Sequence, residues 1–339
     1  MLTVSPRRGA LPALGLVLLA PLVGEFLLGN ISIREIAALV ILAPMYGGGA
    51  LLIREVTRRT GRGWATILVL GAAYGLVEAG MFDGSLFNPS FEGLDFTATY
   101  VPTLGISAVN ALHFVVGHAV WSIAVPVALV EALVPERRSM PWLGNTGLAI
   151  TAVAYLAGGL AVQRWSAETG NYRTSAAELA GTALVVVALV ALAFRLGRPS
   201  ASGADATPPR PLFVGIGAFV ASSLYNLIPD NWPGVAVSAA VLVATAVVIS
   251  RLSRRTGWGD RHRLALAGGV LPTYVWLAFV VASMKGHTEA VDVGGIAVFA
   301  VGAVIVLAIG LHRTPPGPSA PGPPSPGPRQ PRPTARSPR

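Results

Sequence analysis

Of the 25 basic residues in this 339-residue chain, 21 lie on one side of an alternating series of apolar blocks and four on the other. The blocks run at about 11–29, 36–53, 64–82, 105–133, 143–163, 177–196, 212–229, 234–250, 264–284 and 294–311. Most hold at least about 18 residues, enough for a helix to cross roughly 30 Å of hydrocarbon. Taking the connections alternately, one side collects Arg7, Arg8, Arg54, Arg58, Arg59, Arg62, Arg137, Arg138, Arg195, Arg198 and Arg210. It also collects Arg251, Arg254, Arg255, Arg261, Arg263, Arg313, Arg329, Arg332, Arg336 and Arg339. The other side holds Arg34, Arg164, Arg173 and Lys285. Basic residues stay preferentially on the cytoplasmic side of a membrane, so the asymmetry predicts an even number of spans with both termini inside. A missed or invented helix would break the alternation from that point on, and it does not break.

Composition restricts the class further. Apolar residues make up 53% and charged residues 12%, against about 25% charged in soluble domains. Backbone polar groups in lipid must be satisfied internally, and the period-two alternation of a membrane barrel is absent. The expected fold is therefore all-α, a polytopic bundle of about ten transmembrane helices. The net charge of +9 sits in short loops and the tail, where anionic lipid accounts for it; nucleic acid is not an expected partner. With no cysteine, disulfides, thiolate catalysis and thiolate metal sites are excluded. Arg outnumbers Lys 24 to 1, which reads as GC-rich coding and points to a bacterial cytoplasmic membrane.

Four regions are expected. Residues 1–196 form a six-span half, 197–211 a Pro/Ser/Ala-rich cytoplasmic linker, 212–313 a four-span half, and 314–339 a tail. In that tail 11 of 26 residues are proline, a composition that builds no core. The run after Arg7 and Arg8 resembles a signal sequence, but it is long, contains Glu25 and lacks a small-residue cleavage site, so it reads as an uncleaved first helix. Arg58-Arg59-Thr60-Gly61 is echoed by Arg254-Arg255-Thr256-Gly257. This is either the trace of a duplication or a helix stop written twice.

Few ionisable groups lie inside the blocks: Glu25, Glu78, His113 and His118, with Glu131 near a cytoplasmic end. A charge at mid-bilayer costs about 2.5–3.5 kcal/mol or more, so such groups face protein or water. The topology puts Glu25 and Glu78 about 6 Å below the outer surface, His113 about 12 Å down and His118 near the midplane. Asn110 shares a helical face with His113. Together these outline an ion or proton site of Glu25, Glu78, Asn110, His113 and His118. Carboxylates with imidazoles relay protons, bind a metal such as Zn²⁺, or activate water. Five helical residues turn through about 140°, so His113 and His118 point to different faces. In the plainer reading the carboxylates reach the outer interface and the imidazoles bond between helices. Above them the acidic, aromatic loop Asp83–Leu104 is either a lid or an interfacial anchor.

Glu78-Ala79-Gly80-Met81-Phe82-Asp83-Gly84-Ser85-Leu86-Phe87 and Phe114-Val115-Val116-Gly117-His118 resemble two motifs of the CPBP family, the CAAX-protease and bacteriocin-processing intramembrane endopeptidases. The resemblance implies that Glu78 activates a water and that His118 binds it or stabilises the oxyanion. Ala79 stands where that family has a second Glu, and Asp83 where it has Arg. None of His262, His287 and His312 supplies the third motif. Three readings follow: a permease or transporter with an outer-half Glu/His site, a CPBP-like enzyme using Glu78 and His118, or an accessory membrane subunit. The lipid bilayer is the one partner expected; cofactor, metal and oligomeric state are left open.

Overall fold

The computed structural model describes residues 6–170, 172–196 and 206–315. Residues 197–205 of the expected linker 197–211, and the expected tail from 316 onward, lie outside the described residues. Nine helices among the described residues are long and apolar enough to cross a membrane: α1 Gly9–Phe26, α2 Ile33–Arg59, α3 Trp64–Phe82, α4 Ala108–Leu133, α5 Asn145–Thr169, α6 Ala176–Arg195, α8 Trp232–Leu252, α9 Asp260–Met284 and α10 Ala290–Arg313. The expected seventh span is the apolar helix α7, Pro211–Asn226, shorter than the rest at 16 residues. It rises only about 24 Å. The chain is thus an all-α polytopic bundle, and the ten apolar blocks correspond one for one to its helices.

The helix ends that the basic residues assign to one side gather at one end of the bundle. Arg54 reaches the carbonyls of Arg137 and Arg138, Arg313 that of Leu133, and Arg62 that of Leu196. Arg138 pairs with Asp260. At the opposite end Lys285 pairs with Glu92, and Arg34 with Glu289 and Asp292. Of the echoed Arg-Arg-Thr-Gly segments the first ends a helix, with Gly61 at φ 66° just past its cap Thr60, whereas the second lies in the turn beyond Leu252, with Gly257 at φ 94°.

The core belongs mainly to α1, α3 and α4, in which 56, 61 and 56% of the apolar window is buried, against 6% in α8. One face of α4 (Ile123, Val127, Val130) joins Leu16, Met45, Ala50, Ile67 and Tyr74 from α1–α3. Its other face (Trp121, Val125, Leu129) packs on Leu264, Leu271 and Tyr274 of α9 and Ala303 of α10. Trp121 and Tyr274 stack with ring centroids 4.3 Å apart, and Trp121 Nε1 donates to the Val270 carbonyl at 3.0 Å. α4 therefore joins the two halves.

Four stretches of these helices widen into π-helical turns: Leu22–Phe26, Ala43–Gly47, Glu78–Phe82 and His118–Ala124. Proline removes a backbone donor and crowds the carbonyl four residues back. Pro21 precedes the first turn, Pro44 lies in the second and Pro126 follows the fourth. The third contains Gly80 and ends just before Gly84, whose φ is 75°.

The loop 83–104, expected on the outer side, is a folded cap. A short hairpin pairs Tyr100 with Ser107 and Val101 with Ile106. Phe91 stacks on Phe96, which meets Phe114 of α4 edge-on at 5.7 Å. Leu86 and Phe87 bury against Ala79. The Glu92–Lys285 pair fastens this cap to the end of α9.

Candidate functional site

Each of the four π-helical turns contributes one polar side chain to a single buried cluster: Glu25, Tyr46, Glu78 and His118. A π turn shifts the backbone register, re-aiming the side chain at the break, and such turns recur at functional sites. Glu25 is 8%, Tyr46 3% and Glu78 4% exposed. Tyr46 Oη is the hub. It lies 2.5 Å from Glu25 Oε1, 3.0 Å from Glu78 Oε1 and 3.3 Å from His118 Nε2. His118 Nε2 is also 2.9 Å from Glu78 Oε2. Beyond that contact Glu78 Oε2 has no hydrogen-bond partner among the described residues. On its far side His118 Nδ1 is 2.6 Å from the Phe114 carbonyl. Glu25 Oε2 accepts from Asn30 Nδ2 at 2.6 Å, in the turn that leaves α1.

Glycines make the convergence possible. A methyl group on Gly24 would stand 2.7 Å from Ser122 Oγ, and one on Gly75 3.0 Å from His118 Cβ. Tyr74 closes the cluster, its ring centroid 6.0 Å from that of Tyr46 and 5.9 Å from that of His118. Its buried hydroxyl has no hydrogen-bond partner among the described residues.

The structure therefore brings together three of the five expected residues and adds Tyr46, which a search for ionising groups passes over. The other two lie elsewhere. His113 turns to α7, where its ring meets Tyr225 edge-on at 5.2 Å. Its Nε2 and the Tyr225 hydroxyl are both without hydrogen-bond partners among the described residues. Asn110 faces a cleft beneath the outer loop, with Ser85, Phe96 and Tyr100. The 140° between His113 and His118 is the reason: one helix cannot aim both at one point. Among the described residues, no three His, Asp or Glu side chains are placed to hold a metal ion.

A family model described as uncharacterized membrane protein family matches residues 14–319. The chain belongs to that family. The match begins within α1 and runs through the end of α10, so the cluster lies inside the portion that defines this membrane protein family. No curated protein and no solved structure matches the chain.

A second polar group in this family member holds the opposite end of the bundle. Arg54 and Glu55, both fully buried, pair at 2.7 Å. Glu131 accepts from Arg54 at 3.1 Å and from Arg58 at 2.7 Å. Glu55 takes the backbone N–H groups of Trp142 and Leu143, and the Arg54 guanidinium carbon lies 3.4 Å from the Trp142 ring centroid. Arg54 and Arg58, expected as loop charges facing lipid headgroups, instead form a closed network that binds the 134–143 loop to α2. Every charge in it is partnered, the condition under which buried ions are tolerated.

Around Glu78, Ala79 is buried against Leu86 and Phe87. Asp83 Oδ1 accepts from the Ser85 N–H at 2.9 Å. His262 bonds to Pro209 and Gly259 at the opposite end, and His287 lies beside the Gly29 carbonyl.

Proposed function

We propose that the protein is a proton-coupled permease of a bacterial cytoplasmic membrane, with both termini in the cytoplasm and a proton site made of Glu25, Tyr46, Glu78 and His118. The observation that carries this reading is Tyr46 Oη, within 3.3 Å of two carboxyl groups and an imidazole. Carboxyl and imidazole groups facing protein inside membrane helices are the usual parts of proton pathways. Four helices that widen into π turns at the cluster fit a membrane protein that binds at depth, because such turns recur at functional sites. The basic residues supply the orientation.

The test is proton uptake into liposomes containing the purified chain. A potassium diffusion potential drives it, and amino acids, sugars, peptides or inorganic anions are offered outside in turn. Uptake that one class elicits and that Glu78→Gln abolishes is the expected result. Uptake no greater than in protein-free liposomes for every class overturns the reading.

A second reading, a CPBP-like intramembrane endopeptidase, draws on the 2.9 Å approach of His118 Nε2 to Glu78 Oε2 and on the likeness of the two motifs. Cleavage of a membrane-anchored fluorogenic peptide by the reconstituted chain, lost in Glu78→Gln, would favour it over transport.

A further inference from the structure

The cluster fixes its own proton count. A carbonyl oxygen only accepts, so His118 Nδ1, 2.6 Å from the Phe114 carbonyl, carries a proton. Its Nε2 then either accepts as a neutral ring or donates as a cation. Tyr46 has one proton to give and two lone pairs, yet carboxyl oxygens of both Glu25 and Glu78 lie within hydrogen-bond distance of it. When one accepts from the tyrosine, the other must donate to it. No Lys or Arg pairs with either carboxyl among the described residues. An uncompensated charge buried there is costly. Neutrality then requires two protons distributed over Glu25, Glu78 and His118 Nε2. Two of the possible distributions keep the imidazole charged and differ only in which carboxyl is protonated. One hop in each of the two hydrogen bonds of Tyr46 interconverts them.

We infer that Tyr46 is a proton switch that passes a proton between Glu25 and the Glu78–His118 pair. In the inward step the Glu25 Oε1–H bond breaks as a new O–H bond forms on Tyr46. The tyrosine's original proton passes to Glu78 Oε1. Glu25 ends as a carboxylate, Glu78 as an acid and Tyr46 unchanged, so no charge is created on the ring. The cluster has a direction. Glu25 is the entry terminus: it is the more exposed of the two carboxyls, and its second oxygen is held by Asn30 in the turn that leaves α1. Glu78, at a similar depth, is the other terminus, and it leans on His118 nearer the midplane. The groups facing the relay from neighbouring elements are Tyr74 on α3, Tyr155 on α5, Tyr274 on α9 and Asp83 just beyond α3. Of these, none bonds to Tyr46 Oη, so none offers a parallel route through it.

This inference rests on the cluster being a proton site and is independent of any solute. The experiment is a rapid acidification of the purified full chain in lipid nanodiscs, followed by the infrared carbonyl bands of protonated carboxyls. Glu25→Gln and Glu78→Gln assign the bands. The Glu25 band is expected to rise first and the Glu78 band to follow. Tyr46→Phe should leave the Glu25 band in place and slow the Glu78 band on the order of a hundredfold, the scale of a lost proton-transfer group. Tyr225→Phe, at a ring that packs on His113 away from the cluster, should leave both rates unchanged.

A Glu78 band that rises at its normal rate in Tyr46→Phe, or ahead of Glu25, overturns the switch. A second readout keeps Tyr46 intact. With ring-labelled tyrosine, one phenol band should move on acidification in the unaltered chain and stay still in Glu25→Gln; movement in both overturns the switch as well. If the relay kinetics hold but no solute class drives uptake, the permease reading falls alone. If uptake persists in Tyr46→Phe with normal Glu78 kinetics, the switch falls alone.

Discussion

Gly47 of α2 passes so close to Val17 of α1 that a methyl group on it would stand 2.1 Å from the Val17 carbonyl oxygen and 2.3 Å from its Cα. Both atoms are backbone, so neither can swing aside. This contact sets the spacing of α1 and α2 one residue away from Tyr46. Gly47→Ala should force the helices apart, costing about 1–3 kcal/mol as overpacking does. Glu25 should lose its tyrosine partner in the process. Gly302→Ala, which meets open space, should be neutral or stabilise by about 0.5–1 kcal/mol. Thermal unfolding in detergent separates the two, and equal midpoints would refute the close-contact account.

The Arg54 network makes a stability prediction of its own. Arg54→Ala would leave Glu55 and Glu131, both buried, without their shared cation. Removing one partner of a buried pair costs about 3–5 kcal/mol, mostly from the charge left behind. Arg54→Lys should recover little of this, because a single ammonium cannot span two carboxylates and the carbonyls of Arg137 and Arg138 as the guanidinium fork does. The measure is again unfolding of the purified chain. A loss for Arg54→Ala below about 1 kcal/mol would contradict a structural role.

The helices were legible because the requirement that a membrane span satisfy its own backbone acts on every residue in it, and so leaves a long signal. The π-helical turns were not. They differ from α-helix by one shifted hydrogen bond, and only Pro21, Pro44 and Pro126 hint at them. Tyr46 escaped because tyrosine inside an apolar block reads as packing or as an interfacial ring. The available signal was its place between Pro44 and the glycines 47–49, where a helix is unable to stay regular. Arg54 misled for the opposite reason. It stands one residue past an apolar block, where arginine ordinarily meets headgroups, and only the fold reveals that the 134–143 loop closes over it. For the histidines, helix geometry alone already separated 113 from 118, but which of them joins Glu78 depended on the break at His118.

The separation of His113 from the cluster has its own test. Its ring packs edge-on against Tyr225, a contact that phenylalanine can keep. His113→Phe should therefore preserve folding and leave the Glu25 and Glu78 carbonyl bands unmoved on acidification. His118→Phe should disturb the Glu78 band, because it removes the only imidazole within reach of that carboxyl. A shift of the Glu78 band in His113→Phe would mean that the two histidines act as one site.

Lys285 is the single lysine of the chain, which turns the orientation into a labelling experiment. The charge asymmetry predicts that it lies outside, at the end of α9, where it pairs with Glu92 of the 83–104 loop. A membrane-impermeant amine reagent applied to intact cells should therefore label Lys285, and Lys285→Arg should remove that label. Such a pair is only partly buried, with side-chain exposures of 12% and 30%, and is worth at most about 1 kcal/mol. Glu92→Gln should accordingly leave the fold intact while raising the labelling rate, because the ammonium is no longer held against the loop. Labelling of Lys285 only after the cells are permeabilised would invert the topology, and Glu25 would then face the cytoplasm.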